Sequence, residues 1–282
     1  LDHRGARNYD GDVGRFLSVD PLAADYAGWS TYNYVLGNPV RFVDPDGRAP
    51  DDIVYYNLQG QEIHRVKSNT EFRTFIQVGA TSANFKNGGN GFNPSGGMFI
   101  EAPMPGIASG FEDAKFQQYD HEIAAETAIF NYNLDKAGAG GYVNGVASLP
   151  TKGEGYTLGA LPEGNLDVNL VKAMVLEESM AGNYTGGSGT GTTDIMQVNN
   201  KGDWSELKPQ LGLSYGQIMT PQSSVRAGIG LLFLKSMPAN TGKVMNFSSW
   251  NISGYNGGGN PNYSTEVQQF LNSMTPATSN RP

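Results

Sequence analysis

From Asp167 onward, apolar side chains recur at helical spacing: in "DVNLVKAMVLEES", Leu170 pairs with Met174 and Val171 with Val175. Residues four apart stack on one side of a helix, so this run predicts a helix with an oily stripe turned to a core. Asp167 is placed to cap its first turn. Three more helices follow from similar patterns. "FEDAKFQQYDHEIAAETAIFNYNLDKAG" sets Phe116, Tyr119, Ile123, Phe130 and Leu134 near helical spacing, with Thr127 interrupting the stripe and Gly138 as the stop. "TPQSSVRAGIGLLFLKSM" opens with Thr220 as cap and Pro221 at the first helical position, and "NYSTEVQQFLNSM" with Ser264 as cap.

Strand patterning is confined to the front of the chain. Residues 53–66, "IVYYNLQGQEIHRV", read as a hairpin joined around Gln59-Gly60. Within residues 1–48, "RFLSV", "YNYVL" and "VRFV" are strand-like runs separated by Asp-Pro, Asn-Pro and Asp-Gly turns. From Gly79 to about Gly110 the chain turns rich in Gly, Asn and Ser, which reads as a linker or long irregular loop. A second Gly-rich stretch spans 137–165. The pattern predicts an α+β chain in three parts. Residues 1–48 are short and β-rich; 49–110 hold the hairpin and a Gly/Asn-rich linker or leading region; 111–282 form a mainly α domain.

Composition narrows the chemistry. Gly 38 and Pro 15 in 282 residues, with 38% hydrophobic and 16% charged, fit much loop beside compact parts. A net charge of −8 and a pI near 4.9 argue against a nucleic-acid partner. No run of about 18 apolar residues exists, so no membrane span is predicted. The chain has no cysteine, which excludes disulfides and thiol nucleophiles. His3, His64 and His121 are scattered, and "YDHEIAAE" lacks the second histidine of a zinc-binding His-Glu-x-x-His helix, so no metal or other cofactor is predicted. His121 is expected on the polar side of its helix. The sequence opens on Leu1 without a signal peptide and reads as a piece of a longer polypeptide.

The most suggestive chemistry ends the Asp167 helix. Glu178 follows Met174 by four and shares its side, whereas Glu177 follows Ala173. A carboxyl closing an apolar stripe loses hydration, its pKa rises, and it can keep a proton for use as a general acid. The alternative is that both glutamates face water. Downstream, "TDIMQVN" ends in Gln197 and Asn199, amides suited to sugar hydroxyls and acetamido groups, and "GYNGG" places Tyr255 and Asn256 at a turn. Ser179 has no histidine nearby in sequence to activate it and reads as a local backbone partner.

Glu178-Ser179, Asp194-Ile195-Met196-Gln197, Arg226-Ala227-Gly228, Gly254-Tyr255-Asn256-Gly257-Gly258, then Tyr263 and Val267 occur in that order. This order resembles the soluble lytic transglycosylase and goose-type lysozyme superfamily, which cuts the glycan strands of peptidoglycan, over roughly 165–275. The resemblance implies a lysozyme-like fold for 111–282. Glu178 would be the acid/base that protonates the oxygen bridging N-acetylmuramic acid and N-acetylglucosamine, and Tyr255 would orient its carboxyl. Met196 and Gln197 would line sugar subsites, and Asn256 would support its turn or a sugar. Asp194 stands where the family carries glycine. As a second carboxylate it would allow hydrolysis by inversion; with Glu178 alone, the substrate's acetamido group assists and a 1,6-anhydro product forms. Asp194 is thus either a catalytic base or a turn cap.

Residues 1–48, with spaced Gly-Arg-Phe, Asp-Pro, Tyr-Asn-Tyr, Asn-Pro and Asp-Pro-x-Gly elements, resemble the end of the RHS-repeat-associated core, the seal of a β-rich shell that precedes a variable toxin domain. The resemblance implies autoproteolysis by Asp20 and Asp44 after Arg48, where the family commonly has a hydrophobic residue. The alternative is that both aspartates only form turns before proline. Together the two resemblances imply a peptidoglycan-cleaving toxin of an RHS-type antibacterial effector. It would be secreted or injected by a bacterial secretion system and act in the target's periplasm or wall. Its partners would be glycan strands, a cognate immunity protein and the RHS shell. Two competing readings stand beside it. One is a non-catalytic module that binds cell-wall glycan or packs in the shell, which an acidic pI favours because the wall is anionic. The other places activity in 49–150.

Overall fold

The computed structural model describes residues 2–4, 7–13, 15–19, 30, 32, 52–68, 71–80, 97–137, 157–158, 165–183, 193–199, 207–237, 244–245, 249–257 and 259–275. The chain is a mixed α/β protein with two hydrophobic cores, one among the helices and one between α1 and a four-stranded sheet.

At the front, β1 (Asp2–Arg4), β2 (Arg7–Asp10) and β3 (Arg15–Phe16) form a small antiparallel sheet. Phe16 is buried there with Tyr9 edge-on against it, and Leu17 N–H donates to the Asn8 carbonyl. The expected strands at 32–36 and 40–43, and Asp20, Asp44 and Arg48, lie outside the described residues apart from Tyr32.

The predicted hairpin is present as β4 (Asp52–Asn57) and β5 (Glu62–Lys67). Asn57 organises its turn, its side-chain oxygen accepting from the N–H groups of Gln59 and Gln61. Gly60 adopts φ +74°, the left-handed region that favours glycine. The hairpin is half of a four-stranded sheet ordered β5-β4-β6-β7, with β6 (Arg73–Ala80) parallel to β4 and β7 (Gly97–Ala102) antiparallel to β6. Part of the stretch expected to be a linker is therefore strand. Residues 81–96 of it lie outside the described set.

Helix α1 (Asp120–Ala137) joins this sheet to the helical body. Ala124, Ala125 and Ala128, with Ile129, pack on Val54, Tyr56, Ile76 and Ala102 of the sheet. Small side chains let the helix axis approach the strands closely. Ile123, Phe130 and Leu134 point into the helical core. His121 is buried at 7% exposure, its Nδ1 2.8 Å from the Thr74 hydroxyl, instead of lying on a polar face. The polar side of α1 at that point is covered by β6. Thr127 is likewise buried, so the polar interruption does not break the packed stripe.

Helix α2 (Val168–Ser179) is the centre of the helical body. Asp167 caps it as predicted, accepting from Asn169 N–H at 2.8 Å. Nearly every side chain from Val168 to Leu176 is buried, including Lys172, which is paired with Asp120 of α1. An ion pair inside a core persists because each charge neutralises the other. Around α2 lie a single turn α3 (Leu207–Gln210), α4 (Pro221–Ser236), a single turn α5 (Ile252–Tyr255) and α6 (Tyr263–Ser273). Helix α4 starts with Thr220 and Ser223 bonding each other's backbone N–H and with Pro221 in its first turn. Helix α6 begins two residues earlier than predicted: Asn262, not Ser264, occupies the cap, without a side-chain cap bond.

Two short pairings close the body. β8 (Ile107–Ala108) pairs antiparallel with β11 (Met274–Thr275), and β9 (Thr157–Leu158) pairs parallel with β10 (Val244–Met245). Gly106 approaches the Thr275 carbonyl so closely that a β-carbon there would collide with it. Among the described residues no helix is long and apolar enough to cross a membrane.

Candidate active site

Helix α2 stops because Met180 and Ala181 both take left-handed conformations, φ 49° and 53°, and Gly182 follows at 78°. Met180 N–H donates back to the Leu176 carbonyl at 2.9 Å, so the last turn is closed. This sharp exit leaves Glu177 and Glu178 at a helix end that is packed, not frayed. Ser179 fixes it further. Its hydroxyl donates to the Ile195 carbonyl at 2.7 Å and accepts from Gly182 N–H at 2.9 Å, joining α2 to the 194–199 turn.

That turn is built by Asp194. One carboxylate oxygen accepts from Val198 N–H at 3.1 Å and the Ser224 hydroxyl at 2.7 Å; the other accepts from Asn199 N–H at 2.9 Å. The residue is 0% exposed. Three donors and full burial commit this carboxylate to the turn. The base role expected as one option for Asp194 gives way to the turn-cap role. It holds the turn as a helix cap holds a helix.

The motif residues are brought together, but several face inward. Met196 is buried with its thioether against Gly228, where any side chain on the facing helix would collide with it. Gly228 of the Arg-Ala-Gly run is thus there to admit Met196, and Met196 is core, not subsite lining. Asn199 is also buried; its amide donates to the Gln217 carbonyl at 2.5 Å and secures the 214–217 bend, so the sugar contact expected of it is replaced by a structural one. Gln197, half-buried at φ 49°, folds its amide back onto the Asp194 carbonyl at 2.8 Å. Asn256, half-buried, accepts from Asn260 N–H at 2.5 Å and supports its turn, one of the two roles expected of it.

Tyr255 is buried, but its hydroxyl donates to the Met196 carbonyl at 2.8 Å. The phenol that acts on Glu178 is Tyr263 of α6, stacked on Tyr255 with ring centroids 6.1 Å apart. The expected orienting role of Tyr255 is therefore corrected: Tyr255 anchors the turn, and Tyr263 faces the carboxyl. The Tyr263 hydroxyl lies close enough to Glu178 to favour its carboxylate, yet makes no hydrogen bond of normal geometry. Lys235, at the end of α4, donates from Nζ to the Tyr255 carbonyl at 2.6 Å.

Burial pushes the Glu178 carboxyl up to about 7. Tyr263 pulls it down, the charges of Glu177 and Asp194 push it further up, and Lys235 draws it back. Glu178 forms no ion pair among the described residues. A carboxyl of this kind holds a proton near neutrality and can give it away. The residues that reasoning from sequence left without a role are Lys235, Tyr263 and Glu266. Tyr263 carried a signal in its place in the motif order, ahead of Val267; Lys235 and Glu266 carried none. Among the described residues no three His, Asp or Glu side chains converge as a metal site requires. The loop 184–192 after α2 lies outside the described residues. Comparison with protein-family models, with characterised proteins and with solved structures finds no match to this chain.

Proposed function

We propose that this chain cleaves the glycan strands of peptidoglycan through Glu178, on a lysozyme-like helical body, as the toxin part of an RHS-type antibacterial effector. The observation that carries the reading is Glu178 itself: a desolvated carboxyl with a pKa of about 7, in no ion pair among the described residues, where α2, the 194–199 turn and α6 meet. The motif order in the sequence adds the substrate class, and the likeness of residues 1–48 to an RHS seal adds the biological setting.

In this mechanism Glu178 gives its proton to the bridging oxygen as the bond to the muramic acid carbon breaks, and the leaving sugar departs as an alcohol. The ionised Glu178 is then stabilised by Lys235 and the Tyr263 hydroxyl. It takes a proton back from the hydroxyl that attacks the sugar cation. With its carboxylate committed to the turn, Asp194 is not placed to activate a water across the ring. This favours attack by the sugar's own 6-hydroxyl and an anhydro-muramoyl product, the transglycosylase outcome.

The test is mass spectrometry of fragments released from purified sacculi, with Glu178→Gln as control. Anhydro-muramoyl ends that disappear in the variant are the expected result. Ordinary reducing ends would replace the transglycosylase reading with a hydrolase. No release by folded wild-type protein would leave a glycan-binding module instead.

A further inference from the structure

Tyr255 is tied down at both of its ends. Its hydroxyl donates to the Met196 carbonyl at 2.8 Å, and its own backbone carbonyl accepts from Lys235 Nζ at 2.6 Å. The same ammonium lies over the Tyr255 ring, 6.0 Å from its centroid. Lys235 belongs to a wider dock at the end of α4. Asn251 N–H donates to the Ser236 hydroxyl at 2.8 Å and Asn251 Nδ2 to the Lys235 carbonyl at 3.3 Å, and these bonds hold the start of α5. The Lys235 ammonium holds its other end.

A second tyrosine leans on this one. Tyr263 stacks on Tyr255 with the two rings 17° from parallel. It is 2% exposed, and its hydroxyl makes no hydrogen bond of normal geometry. The place of that hydroxyl is therefore set by its helix and by the ring it stacks against. The loop between the two tyrosines is braced as well. Asn260 N–H donates to Asn256 Oδ1 at 2.5 Å, and Asn260 Nδ2 donates to Glu266 Oε2 at 2.6 Å.

We propose that Lys235 is a positioning residue that acts through Tyr255: by holding the Tyr255 carbonyl it fixes the ring on which Tyr263 stacks, and so places the Tyr263 hydroxyl in front of Glu178. This inference rests on the reading of Glu178 as the acid. The ammonium charge also draws the Glu178 carboxyl down, so the test has to separate holding a ring from supplying a charge.

The experiment is a double-variant cycle on fragment release from sacculi by the full chain. Tyr263→Phe is expected to lower kcat about 10-fold, the worth of one hydrogen bond to a charged group. Lys235→Met keeps the side chain's bulk but loses the donor, and kcat should fall about 5-fold with KM nearly unchanged. If Lys235 works through Tyr263, the losses do not multiply: the double variant should stay within about 2-fold of Tyr263→Phe alone. Losses that multiply, as for a charge acting directly on Glu178, overturn the inference. So does an unchanged kcat in Lys235→Met.

A second readout needs no lysis. In protein labelled with 13C-tyrosine, the Tyr263 ring signal is assigned by its loss in Tyr263→Phe. Lys235→Met is expected to displace it, while the tyrosines of β4 keep theirs. If the wild-type protein releases no fragments, the lytic reading falls and this displacement alone decides whether Lys235 places Tyr263. A Tyr263 signal that stays in place overturns the inference. Should Lys235→Met fail to fold, Lys235→Arg keeps the charge and displaces the donor. The Tyr263 signal is expected to move there too; an unmoved signal overturns the inference.

Discussion

Glu126 on α1 and Glu178 on α2 are chemically the same group in nearly the same electrostatic state. Burial raises each to about 7. Their surroundings differ. Glu126 is gripped by the Arg226 fork at 2.8 and 2.9 Å and roofed by the Gly60 turn, where a β-carbon would collide with that ion pair. Among the described residues Glu178 has no cation in hydrogen-bond contact, and the Tyr263 hydroxyl beside it is without a hydrogen bond of normal geometry. A raised pKa therefore marks burial, and only the open partner positions mark a site.

The comparison can be broken most sharply by neutralising each acid in turn. Glu178→Gln is expected to lower fragment release by at least about 10³-fold with the fold retained, judged by circular dichroism. Glu126→Gln is expected to leave release per folded molecule unchanged; an equal loss in both would erase the distinction. Next in size, Arg226→Ala strands Glu126 in its buried place. A loss of about 2 kcal/mol in denaturant unfolding is expected at pH 8, modest because the arginine is partly exposed, and much less at pH 5 where Glu126 keeps its proton. Gly60→Ala forces a β-carbon into the same pair at positive φ, and about 1–2 kcal/mol should be lost in the same assay.

The pH dependence of the whole molecule sharpens the point further. Glu122, Glu126, Glu177 and Glu178 all stand near 7 when folded, against 4.5 for the ordinary group. A folded pKa above the unfolded one means stability that is complete below about 4.5 and lost as pH rises through about 7. The melting temperature is expected to fall from pH 5 to pH 8, and to fall less in Glu126→Gln.

Local chemistry explains what could be read without coordinates. Helices α2 and α4 announce themselves through Asp167, Thr220 and Pro221, and the β4–β5 turn through Asn57 and Gly60, because caps and turns are decided within a few residues. Glu178 was legible because it ends an apolar stripe. The strands β6 and β7 were not, since β4 pairs with β6 in parallel and that register is set by α1 packing beneath. The choice between Tyr255 and Tyr263 was equally hidden: which phenol meets the carboxyl depends on how α5 and α6 stack. Asp194, Met196 and Asn199 looked like site residues because they neighbour the site in sequence, but the tight 194–199 turn points them into the core.

The β8–β11 clasp carries a consequence for the order in which the molecule comes into being. Ile107 pairs with Thr275 across the β8–β11 ladder, and Glu178 meets the Tyr263 hydroxyl on α6, the helix just before β11. A ribosome has made α1, α2 and α4 well before either partner exists. A nascent chain that already carries α2 and the 194–199 turn is still without the hydroxyl that faces Glu178. The surroundings of Glu178 are therefore finished only once α6 has been made.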